Sequence, residues 1–197
     1  MGRMLITGFD PFGGETVNPA WEAVKRLPDR IGPWEIHRLM VPTVFGEASR
    51  TALEAAQELR PDIILCVGQA GGRKAVTPEM VAINLRFGSI ADNAGAVVQD
   101  EPVVPGAPDA YFATLPVRKM AQAITDAEIT GAVSYSAGTF VCNDLMYALL
   151  HRYHGTAVRT GFVHVPFLPE QAREGVPSMA LEDIVRALEC AIGAIDL

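Results

Sequence analysis

Long apolar runs, basic runs and paired cysteines are all missing from this 197-residue sequence. No apolar stretch approaches the roughly 18 residues that a membrane-spanning helix needs. Near the N-terminus the only apolar run, Met4, Leu5 and Ile6, is interrupted by Thr7 and Gly8, so no export leader is expected. Lys and Arg number 16 against 23 Asp and Glu, a net charge of −7 with the signs interspersed. That leaves no basic stripe for a phosphate backbone, and nucleic acid is not an expected partner. Three cysteines, an odd number, make no disulfide framework and fit a reducing compartment. Neither CxxC nor HExxH occurs, and His151 and His154 stand where a helix reads as fraying, so no metal is expected. The Gly71–Gly72 pair lacks both GxGxxG and a following Lys–Ser/Thr, which argues against a phosphate loop. The expectation is a soluble, cytoplasmic protein without membrane or nucleic-acid partners.

What is present is an ordinary globular composition, 49% apolar and 20% charged, long enough for one domain over residues 1–197. Residues 3–8 read as a first strand. Asn18 and Pro19 have the residue types of an N-cap and a first helical position. Residues 34–41 alternate as a second strand, and 46–59 read as a helix. The unbroken run Ile63-Ile64-Leu65-Cys66-Val67-Gly68 fits a central strand buried on both faces. It delivers the chain to a loop, Gln69 to Arg73, at a strand's carboxyl end, where doubly wound proteins place their sites. Further on, 80–85 and 132–135 read as strands, the second one buried, and 95–104 reads as an edge hairpin within an irregular stretch. A helix follows Leu115-Pro116, a strand covers 159–165, and a last helix is capped by Ser178. Alternating strands and helices imply an α/β fold, a three-layer α/β/α sandwich around a twisted, mostly parallel (mixed) sheet. Local patterns leave the strand order open.

Four polar groups fall in loops or at strand ends: Gln69, Glu79, Cys142 and His164. Cys142 stands where the 132–135 strand and its turn give way to a helix, whose first-turn N–H groups and dipole favour a thiolate. A Cys–His pair is the minimum for thiol hydrolysis, and Glu79 can hold the imidazole in one tautomer. The bland readings stand beside this one. Cys142 can be a core thiol, His164 within Phe162-Val163-His164-Val165 a core histidine, and Glu79 after Thr77-Pro78 a helix cap. Three-layer α/β folds also carry nucleoside-cleaving enzymes and simple binders.

Four long segments, in order, resemble the pyroglutamyl peptidase I family, and the likeness spans nearly the whole chain. They are Thr7-Gly8-Phe9-Asp10-Pro11-Phe12-Gly13-Gly14 with Asn18-Pro19; Gly68-Gln69-Ala70-Gly71-Gly72-Arg73 through Thr77-Pro78-Glu79 to Asn84; Ser136-Ala137-Gly138-Thr139-Phe140-Val141-Cys142-Asn143; and His164 through Gln171. The resemblance implies a cytoplasmic cysteine peptidase that removes N-terminal 5-oxoproline from peptides. It implies no cofactor, and a homotetramer or dimer. By position, Cys142 is the nucleophile, His164 the general base and acid, and Glu79 the group that orients it. Phe9 and Phe12 can face the flat lactam ring, and Gln69 can both donate to it and accept from it. Asn18, Thr43 and Val141 match positions near the family's substrate pocket. One position departs from the pattern. Where the family has Arg-Ile-Pro-Asp-Asn, this chain has Ser89-Ile90-Ala91-Asp92-Asn93. The arginine that would help hold the oxyanion is therefore replaced by Ser89, and Arg86 in the same loop is the candidate substitute. The apolar pairs within 87–104 are expected to serve self-association.

Overall fold

The structure is a computed structural model describing residues 2–197. A six-stranded sheet runs in the order β2 (Arg30–Ile31), β3 (Trp34–Val41), β1 (Gly2–Phe9), β4 (Ile63–Gln69), β8 (Arg159–Val165) and β5 (Thr77–Pro78). The four central strands are mutually parallel, and the two short outer ones are antiparallel to their neighbours. A small antiparallel pair, β6 (Val81–Ile83) and β7 (Ala110–Phe112), stands apart from it.

The unbroken apolar runs of the central strands have a simple cause: both faces of the sheet are covered. Met4 and Ile6 of β1, with Ile63, Leu65 and Val67 of β4, enter one core. It is closed by α1 (Pro19–Arg26), α3 (Val117–Asp126) and α5 (Leu181–Gly193). Their sequence neighbours Leu5, Ile64 and Cys66 enter the other core, closed by α2 (Glu47–Leu59) and α4 (Val141–Arg152). The strand period of two thus divides one run between two layers. The mixed sheet with helices on both faces is the α/β sandwich expected from the sequence. Among the described residues no helix is long and apolar enough to cross a membrane.

Asn18 does cap α1, accepting from Ala20 N–H at 3.0 Å. Ser178 does not cap α5. That helix begins at Leu181 after Ala180, and Ser178 is bridged instead to Phe167. Residues 132–135 are not a buried strand. They run along the outer side of β5, where Ser134 N–H donates to Pro78 O and Ser134 O accepts from Met80 N–H, and Tyr135 is 61% exposed. With solvent on the other side, a segment so short pairs only through isolated bridges. Nor is 95–104 a hairpin. It pairs instead with residues 84–88, through the Arg86–Glu101 bridge, Gly88 N–H to Val98 O and the Asn84 side chain on Val104, and Asp92 gathers the N–H groups of Ala94 and Ala96 into a turn.

Candidate functional site

The carboxyl ends of β1, β3, β4 and β8, with segments from 87–90 and 136–142, surround a cavity of about 640 Å³. That volume suits a small-molecule site. Cys142, the second residue of α4, lines it together with His164, near the end of β8. One rung of the sheet places Gly68, His164 and Thr77 side by side. A Cβ on Gly68 would lie 2.9 Å from Cys142 Sγ and 2.7 Å from the Phe162 ring. The bare glycine therefore makes the room in which the thiol sits. Glu79 follows β5 and is fully buried, its backbone N–H fixed by Phe162 O at 2.8 Å. Its Oε1 lies 2.7 Å from His164 Nδ1. Cys142, His164 and Glu79 are thus brought to one place by α4, β8 and β5.

The electrostatics differ from the expectation of a ready thiolate. Burial pushes the Cys142 thiol up to about 12, and the negative charge of Glu79 adds to that. The thiol's own backbone N–H and the cation of Arg73 act the other way, but more weakly. Burial also holds His164 below its ordinary value, despite the carboxylate beside it. Both shifts favour a neutral thiol and a neutral imidazole near neutral pH. For Glu79, burial raises the carboxyl, but hydrogen bonding and attraction to His164, with Ser134 and Arg73 adding to them, hold it below its ordinary value.

Of the six residues expected around the substrate, five line the cavity: Phe9, Phe12, Asn18, Thr43 and Gln69. Asn18 Nδ2 and Thr43 Oγ1 both donate to Asp10 O, at 2.9 and 3.2 Å, so these two shape the wall from behind. Gln69 Oε1 accepts from Gln171 Nε2 at 3.1 Å. Val141 does not line the cavity. Its side chain is fully buried in the α2–α4 core, because its place in the first turn of α4 turns it inward. Phe140, whose ring lies 6.2 Å from that of Phe12, is a wall residue that the sequence did not single out.

Ser89 lines the cavity, but Arg86 does not. The Arg86 guanidinium is paired with the buried Asp144 and is not available to swing in. Backbone donors are available instead. α4 has no side-chain cap, and its first intrahelical bond is Asp144 N–H to Phe140 O. The N–H of Cys142 therefore precedes the helical ladder and is left for a ligand.

His151 and His154 lie against the Tyr111 ring, with ring centroids 5.8 and 5.1 Å away. Among the described residues no three His, Cys, Asp or Glu side chains gather as they would around a metal.

The family model for pyroglutamyl peptidase matches residues 2–196. The chain belongs to the pyroglutamyl peptidase family. Members of this family are cysteine-type hydrolases. The chain is 53% identical to the pyrrolidone-carboxylate peptidase of Levilactobacillus brevis, over 98% of this chain and 97% of that one. It is 48% identical to the one from Thermococcus onnurineus, over 96% of each. The crystal structure of Bacillus amyloliquefaciens pyroglutamyl peptidase I superposes with a TM-score of 0.94 at 48% identity, covering 98% and 96% of the two chains. Arg73 is a second site residue to which sequence reasoning gave no role. It lines the cavity and touches Glu79.

Proposed function

We propose that the chain hydrolyses the N-terminal pyroglutamyl (5-oxoprolyl) residue from peptides, with Cys142 as nucleophile. The observation that carries this reading is the 2.7 Å contact between His164 Nδ1 and Glu79 Oε1, beside a cavity that Cys142 shares. With Nδ1 held by Glu79, Nε2 is left as the nitrogen that exchanges protons. Because burial favours a neutral thiol and a neutral imidazole, Nε2 takes the thiol proton as Sγ attacks the carbonyl that follows the lactam ring. The oxyanion is met by the Cys142 N–H at the head of α4, without an arginine at position 89. Collapse breaks the C–N bond, and His164 returns its proton to the leaving amine. Water then attacks the thioester with His164 as its base, the C–S bond breaks to release pyroglutamate, and the proton on His164 returns to Sγ.

The aromatic wall of Phe9, Phe12 and Phe140 suits a flat, uncharged ring, and Gln69 offers the amide polarity that a lactam needs. A free amino terminus would bring an ammonium into this wall at a cost of several kcal/mol. The test is turnover of matched chromogenic amides. The pyroglutamyl amide should be cleaved and the prolyl and glutamyl amides should not. Equal turnover of pyroglutamyl and prolyl amides would overturn the reading.

One sheet with a core on each face supports a single peptidase domain over residues 1–197. Three unpaired cysteines suit a cytoplasmic location. Val103 is buried and Val104 packs beside it in the α2–α4 core, so that pair is not an open edge; Ile90 and Val97, 50% and 54% exposed, are what supports a homo-oligomer, tetramer or dimer, formed through residues 87–104. Light scattering that finds only monomer at micromolar concentration would reject the oligomer.

A further inference from the structure

Arg73 lies in the loop between β4 and β5 and reaches three groups at once. Its Nη1 donates to Thr77 Oγ1 at 2.6 Å and to Glu79 Oε1 at 2.7 Å. Its Nη2 donates to Ser136 O at 3.2 Å. The Glu79 oxygen is the same one that faces His164 Nδ1. Ser136 belongs to the segment that carries the chain into α4 and so to Cys142. Arg73 therefore joins the acid of the site to the approach of its nucleophile. Its side chain is 30% exposed, whereas that of Glu79 is wholly buried.

We propose that Arg73 is a positioning residue, which holds Glu79 aimed at His164 and ties both to the segment leading into Cys142. This rests on the peptidase reading only for its kinetic consequences. A planar fork with several fixed donors suits the task, because it sets direction as well as charge. Lysine would restore the charge but not the fork.

The charge has a signed consequence. The titratable or charged groups acting on His164 are Glu79 after β5 and Arg73 from the β4–β5 loop, and Cys142 from α4 shares its cavity; the Phe162 ring, 4.7 Å away, is neutral. The cation of Arg73 disfavours the imidazolium and favours the carboxylate. Removing it should raise the pH at which His164 and Glu79 take up protons. Both changes carry the acid limb of the activity profile to higher pH.

The experiment compares the parent with Arg73→Gln and Arg73→Lys. The His164 imidazole is titrated by NMR in the free protein, and kcat and KM for a pyroglutamyl amide are measured across pH. In Arg73→Gln, His164 should titrate at higher pH than in the parent. Its kcat should fall at least ~10-fold, part of the ~10²–10⁴-fold that a positioned acid–base group supplies, while KM changes little. Arg73→Lys should return the titration toward the parent and leave kcat low. A parent-like titration with a parent-like kcat in Arg73→Gln overturns the proposal. So does a rise in KM alone, which would make Arg73 a substrate contact. If Arg73→Gln does not fold, Arg73→Lys decides by kcat, and a parent-like value overturns the proposal. If the parent leaves the pyroglutamyl amide uncut, the peptidase reading fails, and the His164 titration still decides the role of Arg73.

Discussion

Among the described residues two side-chain carboxylates are wholly buried, Glu79 and Asp144, and each is paired with an arginine. Asp144 uses both oxygens, the Arg86 guanidinium on one and the Gly46 N–H on the other, at 2.9 Å. It pins the start of α2 and the 86 loop to α4, and it does nothing else that the geometry reveals. Glu79 loads a single oxygen with both Arg73 and His164, and among the described residues its Oε2 has no partner. Burial leaves Asp144 above its ordinary value, whereas the partners of Glu79 hold it below. The same ingredients thus give a clamp in one place and, in the other, a carboxylate that also holds a histidine. The difference is the third partner: an imidazole that opens on the cavity.

The comparison can be broken most directly by exchanging acid for amide at each site. Glu79→Gln should cut turnover by about 10²–10⁴-fold, far more than the accompanying loss of stability accounts for. Asp144→Asn should do the reverse. It strands the Arg86 cation and should cost stability on the order of 3 kcal/mol, the low end for a broken buried pair because Arg86 keeps some solvent. Its activity should follow only the folded fraction. Chemical denaturation and steady-state kinetics on both variants check this. Equal losses of stability and activity at the two sites would erase the distinction.

A steric test follows. Gly68→Ala would press a methyl group against Cys142 Sγ and the Phe162 ring. A displacement of about 1 Å at a reacting atom can cost roughly 10²-fold in rate. Gly72, at φ +83° with nothing within 4 Å of a built Cβ, is the control. Gly72→Ala should cost about 1 kcal/mol of backbone strain and spare the turnover of the folded protein. Parent-like kinetics in Gly68→Ala would remove Gly68 from the account.

Smaller effects should appear in stability against pH, with opposite signs at the two acids. Glu79 is held below 4.5, so it contributes stability above that pH, which is lost as pH falls through its folded value. His164 is held below 6.5, so the unfolded chain takes up its proton first and stability falls as pH drops below 6.5. Asp144, raised above 3.8, withdraws stability as pH rises through the window between 3.8 and its folded value. Urea unfolding from pH 3 to 8 on the parent, Glu79→Gln and Asp144→Asn separates the two slopes. The same slope in both variants would contradict the assignment.

Much of this was legible in the residues. The run from Ile63 to Gly68 gave away a central strand, because only a strand covered on both faces can be apolar at every position. Asn18-Pro19 marked α1 by local chemistry alone. Cys142, His164 and Glu79 were legible through motifs, and the structure brings them together. The failures share one cause, partners far away in sequence. Nothing near 132–135 says that it lies outside β5 at the sheet's rim. Nothing near Arg86 says that a buried acid 58 residues on will claim it. The head of α4 was visible at Cys142, but the burial that outweighs it was not. Gly68 offered a signal that went unread, since a glycine inside an apolar strand often marks a close approach.

The central claim is that Cys142 becomes acylated by the pyroglutamyl group, and intact-mass spectrometry of acid-quenched turnover tests it most directly. With a pyroglutamyl ester or amide in excess, the account predicts one added pyroglutamyl acyl group on the parent, mapped by digestion to the peptide containing Cys142. Cys142→Ala should show neither adduct nor turnover. Turnover that persists in Cys142→Ala, or an adduct on Cys66 or Cys190 in place of Cys142, would contradict the account.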